Sequence, residues 1–219
     1  TAGWVSYALG RIALGEPDAM SRLQPSWAAG LLRHSGIDLT VMGGEDLDPD
    51  GTYVFMANHQ SNLDIPTLFA ALPLVPGFLA KRELMRIPFL AQALTSGGHV
   101  LIDRTARKAA FAAIDQAAAQ VREGRSLVLF PEGTRSVVGT IKPMKKGGFH
   151  LTRKAGVPLV PVGIRGTGEV LPRDSLRIRP GGVEVRVGDP IPPGVVGALP
   201  LPELMQATRA ALVELTGFE

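Results

Sequence analysis

Val54-Phe55-Met56-Ala57-Asn58-His59-Gln60-Ser61-Asn62-Leu63-Asp64-Ile65-Pro66 is the stretch on which the reading of this chain turns. An apolar run breaks into a polar turn holding one histidine and one aspartate, and a helix-like run, Thr67 to Leu72, follows. The segment Thr52 to Ala57 predicts a buried strand, because β-branched and aromatic residues dominate it and Gly51 punctuates its start. Asp64 stands where a helix N-cap belongs. His59 and Asp64 are five residues apart, a spacing that on a continuous helix would splay them by about 140°. A strand-to-helix turn brings them together. There the aspartate can take a hydrogen bond from one ring nitrogen, fix the tautomer and leave the other nitrogen basic. The same letters also suit a buried turn histidine beside a capping aspartate.

A base of this kind needs a nucleophile. The chain has no cysteine and no Gly-x-Ser-x-Gly elbow. Ser61 lies in the turn, but the sequence does not say whether it faces the histidine. The simplest chemistry left is deprotonation of a substrate hydroxyl that then attacks an activated acyl group.

The 219 residues suit one domain with a sizeable core, and an apolar content of 45% marks a globular chain. A net charge of +3 is too small to argue for nucleic acid. The absence of cysteine excludes disulfides and thiolate zinc sites. The longest apolar candidate for a membrane span, Ile65 to Ala80, is 16 residues broken by three prolines, where about 20 are needed. The chain does not start with methionine, so an upstream anchor could have been removed.

Outward from the central stretch, helices are expected over Ala2 to Leu14 and Trp27 to Arg33, each with a tryptophan on an amphipathic face. They fit either a hairpin packed on the domain or a segment lying in a membrane interface. Strands are expected at Ile37 to Met42, Gly77 to Lys81, His99 to Ile102, Ser126 to Phe130, Val157 to Ile164 and Val183 to Val187. The two prolines of Val157 to Ile164 suggest an odd or edge strand. Helices are expected over Glu83 to Thr95, Ala106 to Glu123, Phe149 to Ala155 and Glu203 to Leu215. The alternation predicts a single-domain α/β fold with a largely parallel sheet flanked by helices.

Four of these strands end in polar turns, at His59, at Lys81, at Asp103-Arg104 and at Glu132-Gly133-Thr134-Arg135. Ligands of open α/β sheets bind at the carboxyl ends of the strands. If the four are parallel neighbours, a histidine base shares a crevice with three cations, a set suited to a phosphate. The loop Lys142 to Lys146 would add positive field. Taken singly, each cation fits a solvated rim charge or an ion pair. His34, His99 and His150 read as ordinary surface or core residues, and His59, Asp64 and Asp103 make a weak metal site at most.

The motifs that carry this pattern resemble those of the PlsC-type glycerolipid acyltransferases, the 1-acyl-sn-glycerol-3-phosphate (lysophosphatidate) acyltransferases. Asn58 to Asp64 is similar to the family's NHx4D block, Gly98 to Arg104 to its second, Phe130 to Ser136 to its third and Val157 to Val162 to its fourth; Ala80 to Leu84 resembles a further segment. The similarity runs over residues 35 to 192. It implies the glycerol-3-phosphate acyltransferase-like fold. It implies His59 as the base that deprotonates the glycerol hydroxyl, with Asp64 orienting it. Lys81, Arg104, Glu132, Gly133, Thr134 and Arg135 would bind the acceptor's glycerol-phosphate end. The implied donor is acyl-CoA or acyl-carrier protein, the acceptor a lysophospholipid, the product phosphatidic acid, with no metal or organic cofactor and no nucleic acid partner. Residues 1–34 would form an amphipathic segment attaching the acyltransferase domain, 35–219, to a membrane from its cytoplasmic face. Two other readings remain open: acylation of a different lysolipid or of glycerol 3-phosphate, and a lipid-binding module without catalysis.

Overall fold

The computed structural model describes residues 2–16, 19–81, 85, 91, 94, 97, 99–102 and 107–219. Its centre is a seven-stranded sheet. The strands are β1 (Ile37–Met42), β2 (Val54–Ala57), β3 (Gly77–Lys81), β4 (Val100–Ile102), β5 (Leu127–Leu129), β6 (Leu159–Arg165) and β7 (Gly181–Val187), in the spatial order β1-β7-β6-β2-β5-β3-β4. Every pair is parallel except β6–β7.

Both faces of β2 are covered, which explains its unbroken apolar run. Phe55 and Ala57 face a cluster with Leu68, Phe69, Val128 and Val162, to which Ala28 of α2 (Ala19–His34) and the residues of α3 (Asp64–Ala71) contribute. Val54 and Met56 face the other side. There they meet Ala117 and Val121 of α4 (Arg107–Arg122), Phe149 and Leu151 of α5 (Lys146–Ala155), Val196 of α7 (Pro193–Ala198) and Leu204 of α8 (Leu201–Thr216). Elsewhere among the described residues lie α1 (Ala2–Ala13) and the short α6 (Thr167–Val170). The α/β expectation therefore holds, with helices on both faces of a largely parallel sheet.

Several local expectations are corrected. Asp64 is the first residue of α3, with Leu63 at the cap position and no side-chain cap bond; its carboxylate has other partners, described below. The second helix starts at Ala19, eight residues before Trp27, and runs through Pro25. Burial of Met20 against Ala8 of α1 holds that first turn in place, tertiary packing outweighing the proline's cost. β6 is an interior strand, between β2 and β7. It tolerates Pro161 because antiparallel pairing with β7 begins only at Val162. Beside the proline the chain of β7 has already ended, and Gly188 N–H donates to the Pro161 carbonyl at 2.9 Å, so no proline donor is called for there. Of the helix expected over Glu83 to Thr95 only residues 85, 91 and 94 are described, the last two helical; the Asp103-Arg104 turn lies outside the described residues.

His99 belongs to the core. Its Nδ1 accepts the backbone N–H of Phe78 at 3.1 Å, and Nε2 lies 3.2 Å from the Gln24 amide of α2. Burial, and secondarily Arg125, push its pKa down to about 4. Folded His99 thus stays neutral while the unfolded chain takes up a proton below its ordinary value near 6.5. Stability should fall as pH drops from 6.5 to 4 and level off below, a loss of about 3 kcal/mol. Thermal unfolding across that range should show the decline, and His99→Gln should flatten it; equal slopes in both proteins would contradict the assignment.

Candidate active site

The strands β2, β5, β3 and β4 are contiguous and mutually parallel. Their carboxyl ends therefore line one edge of the sheet, where the turns of His59 and of Glu132-Gly133-Thr134-Arg135 begin. The backbone of Lys81 closes β3 at that edge; its side chain and the whole of Arg104 lie outside the described residues.

The turn after β2 is fastened first by Asn58. Its amide nitrogen donates to the Ile164 carbonyl at 2.8 Å and its oxygen accepts the Ile164 N–H at 2.7 Å. This pair of bonds ties the turn to β6 and satisfies a buried side chain. His59 follows, its Nδ1 lying 2.7 Å from Asp64 Oδ2. That same oxygen accepts the backbone N–H groups of Gln60 at 2.8 Å and Ser61 at 2.9 Å. An ionised carboxylate only accepts, so Nδ1 carries the proton and Nε2 keeps its lone pair. Asp64 is 1% exposed and His59 17%: the orienter is sealed in while the imidazole reaches solvent. Among the described residues nothing hydrogen-bonds Nε2. The ring stacks on Phe130 with centroids 4.0 Å apart and planes at 16°, so it is held on its face as well as its edge.

Ser61 is not available as a nucleophile. Its Oγ donates to the Leu171 carbonyl at 2.8 Å and accepts the Leu63 N–H at 3.1 Å. The hydroxyl serves the structure of the turn.

Glu132, expected among the phosphate-end residues, turns inward. Oε1 accepts the His59 N–H and Oε2 the Lys142 N–H, each at 2.8 Å. It thereby braces the His59 turn against the loop that follows β5. The brace is doubled at the His59 carbonyl, which accepts from both N–H and Oγ of Ser136, at 2.7 and 3.0 Å. Burial pushes the Glu132 pKa up, against the opposing pull of the Lys142 and His59 backbone donors. Gly133 has φ +76, and a Cβ there would sit 2.9 Å from Nζ of Lys145. The turn favours glycine for its left-handed backbone; the lysine tip beside it could move aside. Thr134 is exposed and Arg135 half-buried. Arg135 Nη1 donates to the Arg173 carbonyl at 3.1 Å, and Lys142 Nζ to the Arg135 carbonyl at 2.7 Å.

The structure thus brings together His59, Asp64, Glu132, Gly133 and Arg135. Reasoning from sequence did not anticipate that Asn58 and Ser136 clamp the turn, that Phe130 stacks on the base, or that Glu132 points at backbone. These residues lie inside the quoted motifs; only their directions were hidden.

A basic ring nitrogen, oriented by a buried carboxylate and partly exposed at the carboxyl edge of a parallel sheet beside the loop of Arg135 and Lys142, defines a site that can deprotonate a hydroxyl near an anionic group. The chain belongs to the acyltransferase family, whose family model matches residues 38–165. It is 38% identical over 157 residues to a 1-acyl-sn-glycerol-3-phosphate acyltransferase of Chlamydomonas reinhardtii, covering 71% of this chain and 47% of that protein. It is 32% identical over 181 residues to the human 1-acyl-sn-glycerol-3-phosphate acyltransferase alpha, covering 81% and 63%. The crystal structure of the 1-acyl-sn-glycerophosphate acyltransferase PlsC of Thermotoga maritima superposes with a TM-score of 0.84 at 27% identity, covering 95% of this chain and 85% of that one. The chain spans about half the length of the first curated relatives it matches.

Proposed function

We propose that this protein transfers an acyl chain from a thioester, acyl-CoA or acyl-carrier protein, to the free sn-2 hydroxyl of 1-acyl-sn-glycerol 3-phosphate, giving phosphatidic acid for phospholipid synthesis. The observation that carries this reading is the His59–Asp64 bond on a partly exposed imidazole whose Nε2 has no hydrogen-bond partner among the described residues. Nε2 takes the hydroxyl proton as the oxygen attacks the thioester carbonyl, and Asp64 stabilises the resulting imidazolium. Collapse of the tetrahedral intermediate expels the thiolate, which recovers the proton. A thioester already carries a good leaving group, so the step calls for neither a protein nucleophile nor a metal. General-base assistance supplies typically 10²–10⁴-fold, and holding hydroxyl and thioester together supplies much of the remainder.

The cationic edge would hold the acceptor's phosphate, with Arg135 at its near end and Lys81 and Arg104 from the neighbouring strands. Glu132 and Gly133 shape that edge rather than touch the ligand. The names of the relatives support the acceptor.

A lipid acceptor requires contact with a membrane. No helix among the described residues is long and apolar enough to cross one. α1 packs on α2 through Trp4, Ala8, Leu9, Ile12, Met20 and Leu23. On α1, Tyr7 is 54% exposed, and just beyond its end Leu14 is 81% exposed. We read this hairpin as the attachment of a monotopic or peripheral protein on the cytoplasmic face. Because α2 also places Ala28 in the main core, residues 1–34 form a hairpin of which only α1 is separable.

The test offers purified protein acyl-CoA with lysophosphatidate, other lysophospholipids and glycerol 3-phosphate, following thiol release and acylated product. Lysophosphatidate should give the highest kcat/KM. A preference for another headgroup would move the acceptor within the family. Thiol release without acylated lipid would mark a hydrolase, and neither product would leave a lipid-binding module.

A further inference from the structure

Beyond the His59 turn, two loops carry side chains that neither fold nor catalysis uses. The first follows β5. In it Val137 is 71% and Val138 42% exposed. The second links α6 to β7, with Leu176 at 99% exposure and Arg173, Arg177 and Arg179 all exposed, against one acid, Asp174.

Neither loop is loosely attached. Leu171 and Ile178 pack at the base of the second against Leu32, Leu63 and Val183, and Arg179 N–H closes it on the Val170 carbonyl at 2.9 Å. Inside it the Ser175 hydroxyl accepts the Arg177 N–H at 3.0 Å. The Arg135–Arg173 bond ties the two loops to each other. Both are tied to the turn of the base: Ser61 Oγ donates to the Leu171 carbonyl, and Gln60 Nε2 to the Val137 carbonyl at 3.3 Å. A leucine held wholly in water on a braced loop contributes nothing to the core. Apolar tips ringed by arginines suit an interface with anionic headgroups, where the rings of charge stay wet and the tips are buried.

Resting on the lipid-acceptor reading, we infer that loops 136–140 and 171–179 form a second membrane contact at the mouth of the site, engaging an anionic bilayer surface through Leu176, Val137 and the arginines around them. The contact would set the His59 turn against the bilayer from which the acceptor comes, independently of α1.

This chain has no cysteine, which makes the test direct. Its L176C variant is labelled with a polarity-sensitive dye. Vesicles of phosphatidylcholine and phosphatidylglycerol in equal parts should shift the emission to the blue; vesicles of phosphatidylcholine alone should do so far less. R173Q/R177Q in the same background should weaken that shift's vesicle affinity by about fivefold per arginine. L176D should slow transfer to vesicle-borne acceptor about tenfold, leaving transfer to a short-chain, dissolved acceptor within about twofold. No shift on mixed vesicles overturns the inference, as does equal loss of rate on both acceptors. A shift produced by acyl-carrier protein and not by vesicles would reassign the surface to a protein partner. An L176C label that responds to mixed vesicles, together with a wild-type protein that transfers no acyl chain, refutes the acyltransferase reading and leaves this contact standing.

Discussion

His59→Ala should lower kcat/KM for acyl transfer by about 10²–10⁴-fold, with acceptor and vesicle binding largely kept. The geometry dictates the size. Nε2 is the basic atom that the described residues place at the mouth of the turn, and Ser61, the nearest hydroxyl in sequence, is engaged with Leu171 and Leu63. Proximity of the two substrates would survive the change and sets the residual rate. The fold should survive as well. The ring is partly exposed, and the substitution removes its stack on Phe130, on the order of 1 kcal/mol, and its bond to Asp64, about 1.5–3 kcal/mol, while the Gln60 and Ser61 N–H groups still hold the carboxylate. Thiol release measured at saturating donor, with thermal unfolding alongside, separates the two effects. A variant transferring within about tenfold of wild type would remove His59 from the chemistry.

Asp64 should divide into two outcomes according to what replaces it. Asparagine can keep an oxygen on the Gln60 and Ser61 N–H groups, so the turn holds. It brings no negative charge to the imidazolium formed as the hydroxyl is deprotonated. The rate should drop by about 10²–10⁴-fold with the unfolding temperature nearly unchanged. Alanine also strips both N–H groups of their acceptor at a site 1% exposed. Each orphaned donor costs about 1–3 kcal/mol, so the unfolding temperature should fall by on the order of 10 °C for a chain of this size. Full activity in Asp64→Asn would make the carboxylate a scaffold for the turn and nothing more.

The two variants rest on a division that runs through the whole site. The strand Val54–Ala57, the turn and the pairing of His59 with Asp64 were legible because each follows from local pattern: an apolar run, a break, and a spacing that a helix cannot close. Asp64 was legible as a partner but misplaced as a cap, because a carboxylate accepting backbone N–H groups from its own turn has the same sequence context as one capping a helix. β6 was legible as an odd or edge strand, and of the two its interior place beside the antiparallel β7 rules out the edge. Its prolines remove donors, and whether a donor is missed depends on where the neighbouring strand stops, which is at Val187.

By itself, the order of residues determined the alternation of strands and helices, the four polar turns at strand ends, and the family motifs. These are consequences of periodicity and of residue chemistry over a few positions. The tertiary structure alone decided which strands are neighbours, and hence that the carboxyl ends of β2, β5, β3 and β4 share one edge, with β5 inserted between β2 and β3 although it comes after both in the chain. It alone decided that Glu132 faces the backbone of His59 from 73 residues away, that Phe130 lies against the base, and that Leu176 is left in water. The physical reason is the same in each case. A side chain's direction is set by burial and by unpaired backbone donors supplied from distant segments, and neither is written in its immediate neighbours.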